Sequence, residues 1–165
     1  MTHEEFLGLI SKTSRKQIIG GIFILVFGLL LGAIMLTGVD NPKTGTKIFI
    51  YILGAICLLI GIVMLRKAIQ TQSQLKNRQH PLVNAINSGD TSYVAWFYEH
   101  KVTANKVEAT SAHQIWIYDR HNKFITISVK KSKVEELMGY LYQHFPAALV
   151  GYTDENKALY KQKVS

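Results

Sequence analysis

Six histidines (His3, His80, His100, His113, His121 and His144), a lone Cys57 and eleven acidic residues are the side chains of this 165-residue chain that could hold a metal ion or move a proton. A zinc site on one helix face needs two histidines four residues apart, and a closed site needs three or four ligands. None of the six histidines has that spacing. His113 and His121 fall at opposite ends of one expected strand with no third ligand in view, and His3-Glu4 lacks the second histidine of a metalloprotease motif. One cysteine excludes a disulfide within a single copy and any cluster built on cysteines. Glu99 and Asp119 could be imagined as a pair of acid-base carboxylates, but nothing in their spacing forces them together. The phosphate loop, the dinucleotide fingerprint and the G-x-S-x-G elbow are all missing. The reading is therefore of a protein that is not an enzyme, with no catalytic residue, no metal and no cofactor.

Aromatic residues offer a different chemistry. Trp96, Tyr98, Trp116, Tyr118 and Phe124 fall on neighbouring segments of alternating pattern. Rings of this kind either fill a second core layer or form a patch that docks a protein partner, a second copy or lipid headgroups.

The elements that must place these residues begin with two apolar runs, Ile18–Leu36 and Ile48–Leu65, neither containing a charged residue. About 20 apolar residues in a helix cross a hydrocarbon core of about 30 Å, and a helix satisfies its own backbone where no water can. Both runs read as membrane spans. A cleaved signal sequence fits less well, because the first run is long, lacks a small-x-small site and is soon followed by a second run. The expected organisation is an N-terminal segment over 1–17, a helical hairpin over 18–65 (spans 18–39 and 48–65, turn 40–47), a polar stalk over 66–79 and a small domain over 80–165. In the first segment Thr2 and Glu5 have capping-box spacing, with Phe6, Leu9 and Ile10 on one face, as in a short interfacial helix.

Lys12, Arg15 and Lys16 precede the first span, and Arg66, Lys67, Lys76 and Arg78 follow the second, against Lys43 and Lys47 in the turn. The positive-inside bias then puts both termini in the cytoplasm of a cell whose inner, plasma membrane carries the hairpin. These seven residues account for most of the net charge of +8, so the basicity reports contact with anionic headgroups and not nucleic acid. Gly21, Gly28 and Gly32 share a face of the first span, and Gly54, Cys57 and Gly61 share one of the second. Such seams let helices approach closely, within the hairpin or between copies. No Asp, Glu, Lys, Arg or His lies inside either run, so a proton relay or charged ion path has no such residues to build it.

Beyond the spans, Pro81 suits the first turn of a short helix that Gly89 ends. Tyr93–Tyr98 reads as a strand, and 102–109 alternates with a slip near Asn105. Gln114–Lys130 is a β-hairpin around Asp119-Arg120-His121-Asn122. Pairing Ile117 with Ile125 and Ile115 with Ile127 gathers four isoleucines and Val129 on one face and sets Tyr118 opposite Phe124 on the other. Ser132 and Glu135 have the spacing to cap a helix running to Phe145, whose apolar stripe covers the isoleucines. The tail from Asp154 is weakly helical, with Leu159 as its anchor. Lys130, Lys131 and Lys133 form a basic run at the helix entrance that could rest on an anionic leaflet. The fold class is α+β: a transmembrane helical hairpin, then a small domain with an antiparallel sheet of three or four strands packed against helices.

The segments HPLVNAINSGD (80–90), WFY (96–98), IWIYDRHNKFITISV (115–129) and PAALVGY (146–152) give a layout that resembles a broad set of uncharacterised bacterial membrane proteins, in which a two-span hairpin precedes a small cytosolic α+β module. The layout also looks like that of bacterial pleckstrin-homology proteins with a membrane hairpin, although too few strands are readable for a seven-stranded sheet. The expected function is a non-enzymatic, membrane-tethered interaction module, for instance a subunit of a membrane assembly or an immunity-type protein, the tether raising its local concentration toward a partner at the bilayer. The bilayer and a protein partner, or self-association, are its expected contacts. The pleckstrin-homology resemblance implies a lipid-headgroup sensor. An enzyme acting on a membrane-associated substrate is the remaining alternative.

Overall fold

The computed structural model describes residues 1–36, 44–102 and 112–164. Helix α1 (His3–Leu36) and helix α2 (Thr44–Lys76) both extend well past their apolar runs. Of the expected turn over 40–47, residues 40–43 lie outside the described residues, and Thr44 already opens α2. The chain divides into two units, a helical hairpin over 14–74 and a globular unit made of Met1–Thr13 and Leu75–Ser165.

In the hairpin unit, Gly21, Gly28, Gly54 and Gly61 are buried where the two helices meet. A Cβ at Gly61 would lie 2.7 Å from Leu25 Cγ, and one at Gly28 3.2 Å from both Cys57 Cβ and the Gly54 carbonyl. Backbones this close need glycine, as in packing without a hydrophobic drive. Gly32 meets nothing within 4 Å. The buried Ser14 hydroxyl donates to the Ala68 carbonyl at 2.8 Å and ties the helices at their other end. Facing outward are Ile19, Phe23, Leu29, Phe49 and Leu59 among others, and only 11% of each apolar window is buried. Both helices are long and apolar enough to cross a membrane. A Cβ at Gly54 would sit 3.7 Å from Leu31 Cβ, within disulfide range. The variant Leu31→Cys/Gly54→Cys/Cys57→Ser is therefore expected to cross-link on mild oxidation. Adding Gly61→Leu should suppress the cross-link by forcing the helices apart, as read on non-reducing gels.

The globular unit starts with α1's first turns. Thr2 and Glu5 form the reciprocal capping box, Glu5 N donating to Thr2 Oγ1 at 3.2 Å and Thr2 N to Glu5 Oε2 at 2.8 Å. Phe6 and Ile10 follow at helical spacing and are 0% and 2% exposed. They sit in the domain core instead of on an interfacial helix, so the domain is not continuous from residue 80. Leu75 also packs on this core, and the stretch expected to be a free stalk ends there. Helix α3 (Pro81–Ser88) stops at Gly89, whose φ of 69° allows its N–H to reach the Ala85 and Ile86 carbonyls.

Strands β1 (Val94–Val102), β2 (Ala112–Asp119), β3 (Phe124–Val129) and β4 (Leu149–Val150) make one sheet in the order β3-β2-β1-β4. The β2–β3 register pairs Ile117 with Ile125, Ile115 with Ile127 and Tyr118 with Phe124, as the side-chain pattern predicts. Residues 103–111, which include the expected slip near Asn105, lie outside the described residues. β4 pairs parallel to β1, Trp96 with Leu149 and Phe97 with Val150, so the sheet is mixed and not purely antiparallel. Helix α4 (Val134–His144) begins from a 3-10 turn at Lys131–Lys133 without a side-chain cap, so the expected Ser132/Glu135 box is not formed. Lys133 instead reaches Glu136 and Glu5. One sheet face, with Phe97, Ile115, Ile117 and Ile127, is covered by Phe6 and Ile10 of α1, Leu82 and Val83 of α3, and Leu137 and Leu141 of α4. Thr13 Oγ1 accepts from Ser128 N at 3.0 Å and so occupies part of the open edge of β3.

Candidate functional site

The opposite sheet face carries the aromatics. A bulge between Val94 and Trp96 lets Ala95 and Trp96 both join it, while Val94 and Phe97 serve the inner core. Register then fixes the neighbours: Trp96 opposes Tyr118, Tyr98 opposes Trp116, and Tyr118 opposes Phe124. Ring centroids lie 5.3 Å apart for Trp96 and Tyr118, 6.0 Å for Tyr98 and Trp116, and 5.7 Å for Trp116 and Phe124. All five rings expected to act together are thus gathered on one surface.

Their exposure differs. Trp96 and Tyr98 are buried, Trp116 and Tyr118 half-buried, and Phe124 is 55% exposed. The cover comes from helix α5 (Asp154–Val164), which starts with Asn156 N donating to Thr153 Oγ1. Its anchor is Tyr160, 5% exposed and 5.5 Å from Trp96, while the expected anchor Leu159 is 39% exposed. The Tyr160 hydroxyl donates to the Asp119 carbonyl at 3.2 Å, a partner that only a ring reaching over the sheet can find. Tyr152, 56% exposed and 4.9 Å from Tyr98, extends the surface across β4. Its sequence signal is present in PAALVGY, but a two-residue strand shows no period that would assign it a face.

Polar groups on this face are mostly spoken for. Trp96 Nε1 donates to the Gly151 carbonyl at 2.8 Å and Trp116 Nε1 to Gln114 Oε1 at 3.1 Å. Burial, reinforced by a hydrogen bond with the Tyr118 hydroxyl, holds the Tyr98 phenol well above its usual range. It stays a neutral ring.

Glu99 and Asp119 are not brought together: Glu99 opposes Ile115, and Asp119 opposes Val94 at the far end of the strand pair. His113 Nδ1 lies 2.6 Å from Glu99 Oε1. Asp119 accepts from the backbone of His121 and Lys123 and shapes the β-hairpin turn. Burial and the Asp119 carboxylate together push the Tyr93 phenol up to about 12. Among the described residues no three histidine, cysteine or acidic side chains cluster as metal ligands. The seven basic residues Lys12, Arg15, Lys16, Arg66, Lys67, Lys76 and Arg78 are all exposed, and the small residues Gly21, Gly28, Gly54, Cys57 and Gly61 serve the helical hairpin's own contact.

Residues 88–160 match the model of a domain of unknown function, DUF6709. The two long apolar helices precede that match, as do the core residues Phe6, Ile10, Leu82 and Val83. No curated protein and no solved structure matches the chain.

Proposed function

We propose that this chain is a non-enzymatic interaction module tethered to the inner membrane of a bacterial cell, with both termini cytoplasmic, acting as a subunit of a larger membrane assembly. The observation that carries this reading is the outer sheet face, where Phe124 and Tyr152 stay more than half exposed beside the half-buried Trp116 and Tyr118. Contiguous aromatic surface of this kind is the usual core of a protein interface. A tether supports the same reading, since holding a module at the bilayer raises its effective concentration toward a partner held there too.

The test is a photoreactive phenylalanine analogue at position 124 of the full chain in native membranes. A discrete cross-linked species is expected, competed away by excess unlabelled chain but not by the Phe124→Ser/Tyr152→Ser variant. Both positions are exposed, so this variant should unfold within about 0.5 kcal/mol of the parent. Equal competition by the variant, or no adduct, would sink the proposal. Quenching of the tryptophans by brominated lipid in vesicles free of other protein would favour headgroup docking instead.

A further inference from the structure

The sheet closes one of its edges and leaves the other partly open. At the β4 edge, Asn156 Nδ2 donates to the Val150 and Gly151 carbonyls at 2.8 and 3.2 Å. Strand β3 forms the other edge. The Lys123 carbonyl accepts from Asp119 N and so points toward β2, whereas Ser128 N points away from it, to Thr13 Oγ1. Backbone groups alternate in direction along an antiparallel strand, which turns the N–H and C=O of Phe124 and Thr126 outward as well. Thr13 supplies a partner at Ser128, and no group among the described residues does so for Phe124 or Thr126 on that side. An edge left in this state is a template for one more strand.

We propose that the β3 edge receives an extended segment of a partner protein, about as long as β3 itself, apolar at alternate positions and bordered at both ends by Asp or Glu. The inference rests on the reading of the aromatic face as a docking surface and names what docks there. Phe124 belongs to both features: its ring stacks on Trp116 at 5.7 Å, and its outward N–H and C=O begin the open ladder. An added strand would set every second side chain beside that ring and continue the aromatic surface. Charge gives the borders. Lys123 precedes β3 and Lys130 and Lys131 follow it; all three are exposed and form no ion pair among the described residues. Acidic residues at the two ends of the incoming segment meet this uncompensated charge. The same lysines oppose a second copy as occupant, since antiparallel β3–β3 pairing would bring Lys123 of each copy beside Lys130 of the other.

The test competes the position-124 photoadduct of the full chain in native membranes with unlabelled variants. Thr126→Pro removes an outward N–H and leaves the ladder to β2 whole, the placement in which an edge strand tolerates proline. It should compete about tenfold less well than the parent, whereas Thr126→Val, which keeps the N–H, should compete equally. Lys123→Glu/Lys130→Glu/Lys131→Glu should compete about fivefold less well. Tryptophan fluorescence in urea checks that each variant folds. If Thr126→Pro does not, the charge-reversed chain, altered only at exposed positions, carries the test. Mass spectrometry of the adduct should find a segment of another protein with acidic residues bordering alternating apolar ones. Equal competition by folded Thr126→Pro or by the charge-reversed chain would overturn the strand addition and leave docking on the aromatic face standing. An adduct to a second copy, or to a segment without acidic borders, would do the same. No adduct at all would overturn both readings.

Discussion

Phe6→Ala is expected to destabilise the globular unit by about 3–5 kcal/mol, the cost of a large buried ring plus the cavity it leaves. The ring is fully buried, lies 4.9 Å from that of Tyr140, and belongs to the same cluster as Leu82, Phe97, Ile115 and Leu137. Small domains have only about 5–15 kcal/mol in total, so much of the margin would go. Both tryptophans, Trp96 and Trp116, lie in the globular unit, and fluorescence in urea therefore reads its unfolding alone. Phe23→Ala, at a 72% exposed position of the helical hairpin unit, should leave the midpoint unmoved. A Phe6→Ala shift below about 1 kcal/mol would show that the first turns of α1 are dispensable, against the burial observed.

His80 gives the second large effect. In the unfolded chain an imidazole titrates near 6.5, and in the fold burial lowers it to about 4. Between those values the unfolded chain binds a proton that the folded chain does not. Stability is thus complete above about pH 6.5 and falls as the pH drops toward 4, by about 3 kcal/mol. His80→Leu should remove this slope and raise stability at neutral pH by about 1 kcal/mol, since it replaces an orphaned polar group with an apolar one. Comparing the two proteins across pH 4–7 isolates the effect from that of carboxylates such as Glu5, Asp90 and Glu136, whose lowered values both share. Parallel profiles would mean that His80 is hydrated in the fold.

Strong local patterns made much of this architecture readable. The β2–β3 register is pinned by alternating isoleucines, because a slip of one residue would turn the whole set to the other face. Thr2 and Glu5 cap a helix as their spacing predicts, whereas Ser132 and Glu135 do not, since Lys130 and Lys133 close a 3-10 turn there first. Identical spacing thus gave different outcomes, and the deciding factor was the backbone conformation ahead of the helix. The aromatic face was legible as five rings on adjacent strands. Tyr152 and Tyr160 were not, because β4 has only two residues and α5 is so polar that its buried side is set by what it packs on. His80 looked like any scattered histidine. Only three-dimensional packing shows that it is buried, with its Nδ1 left without a hydrogen-bond partner.

The two-part composition of the globular unit governs how it can be made and dissected. Phe6 and Ile10 precede the helical hairpin yet share their core with α3, the sheet and α4, which follow it, so assembly waits on a distant encounter whose entropic toll grows slowly with the intervening length. A recombinant piece starting at His80 would display the bare sockets of Phe6 and Ile10 and aggregate for want of them. Splicing residues 1–13 to 75–165 through a flexible glycine-serine tether would join both parts of this unit without the helical hairpin.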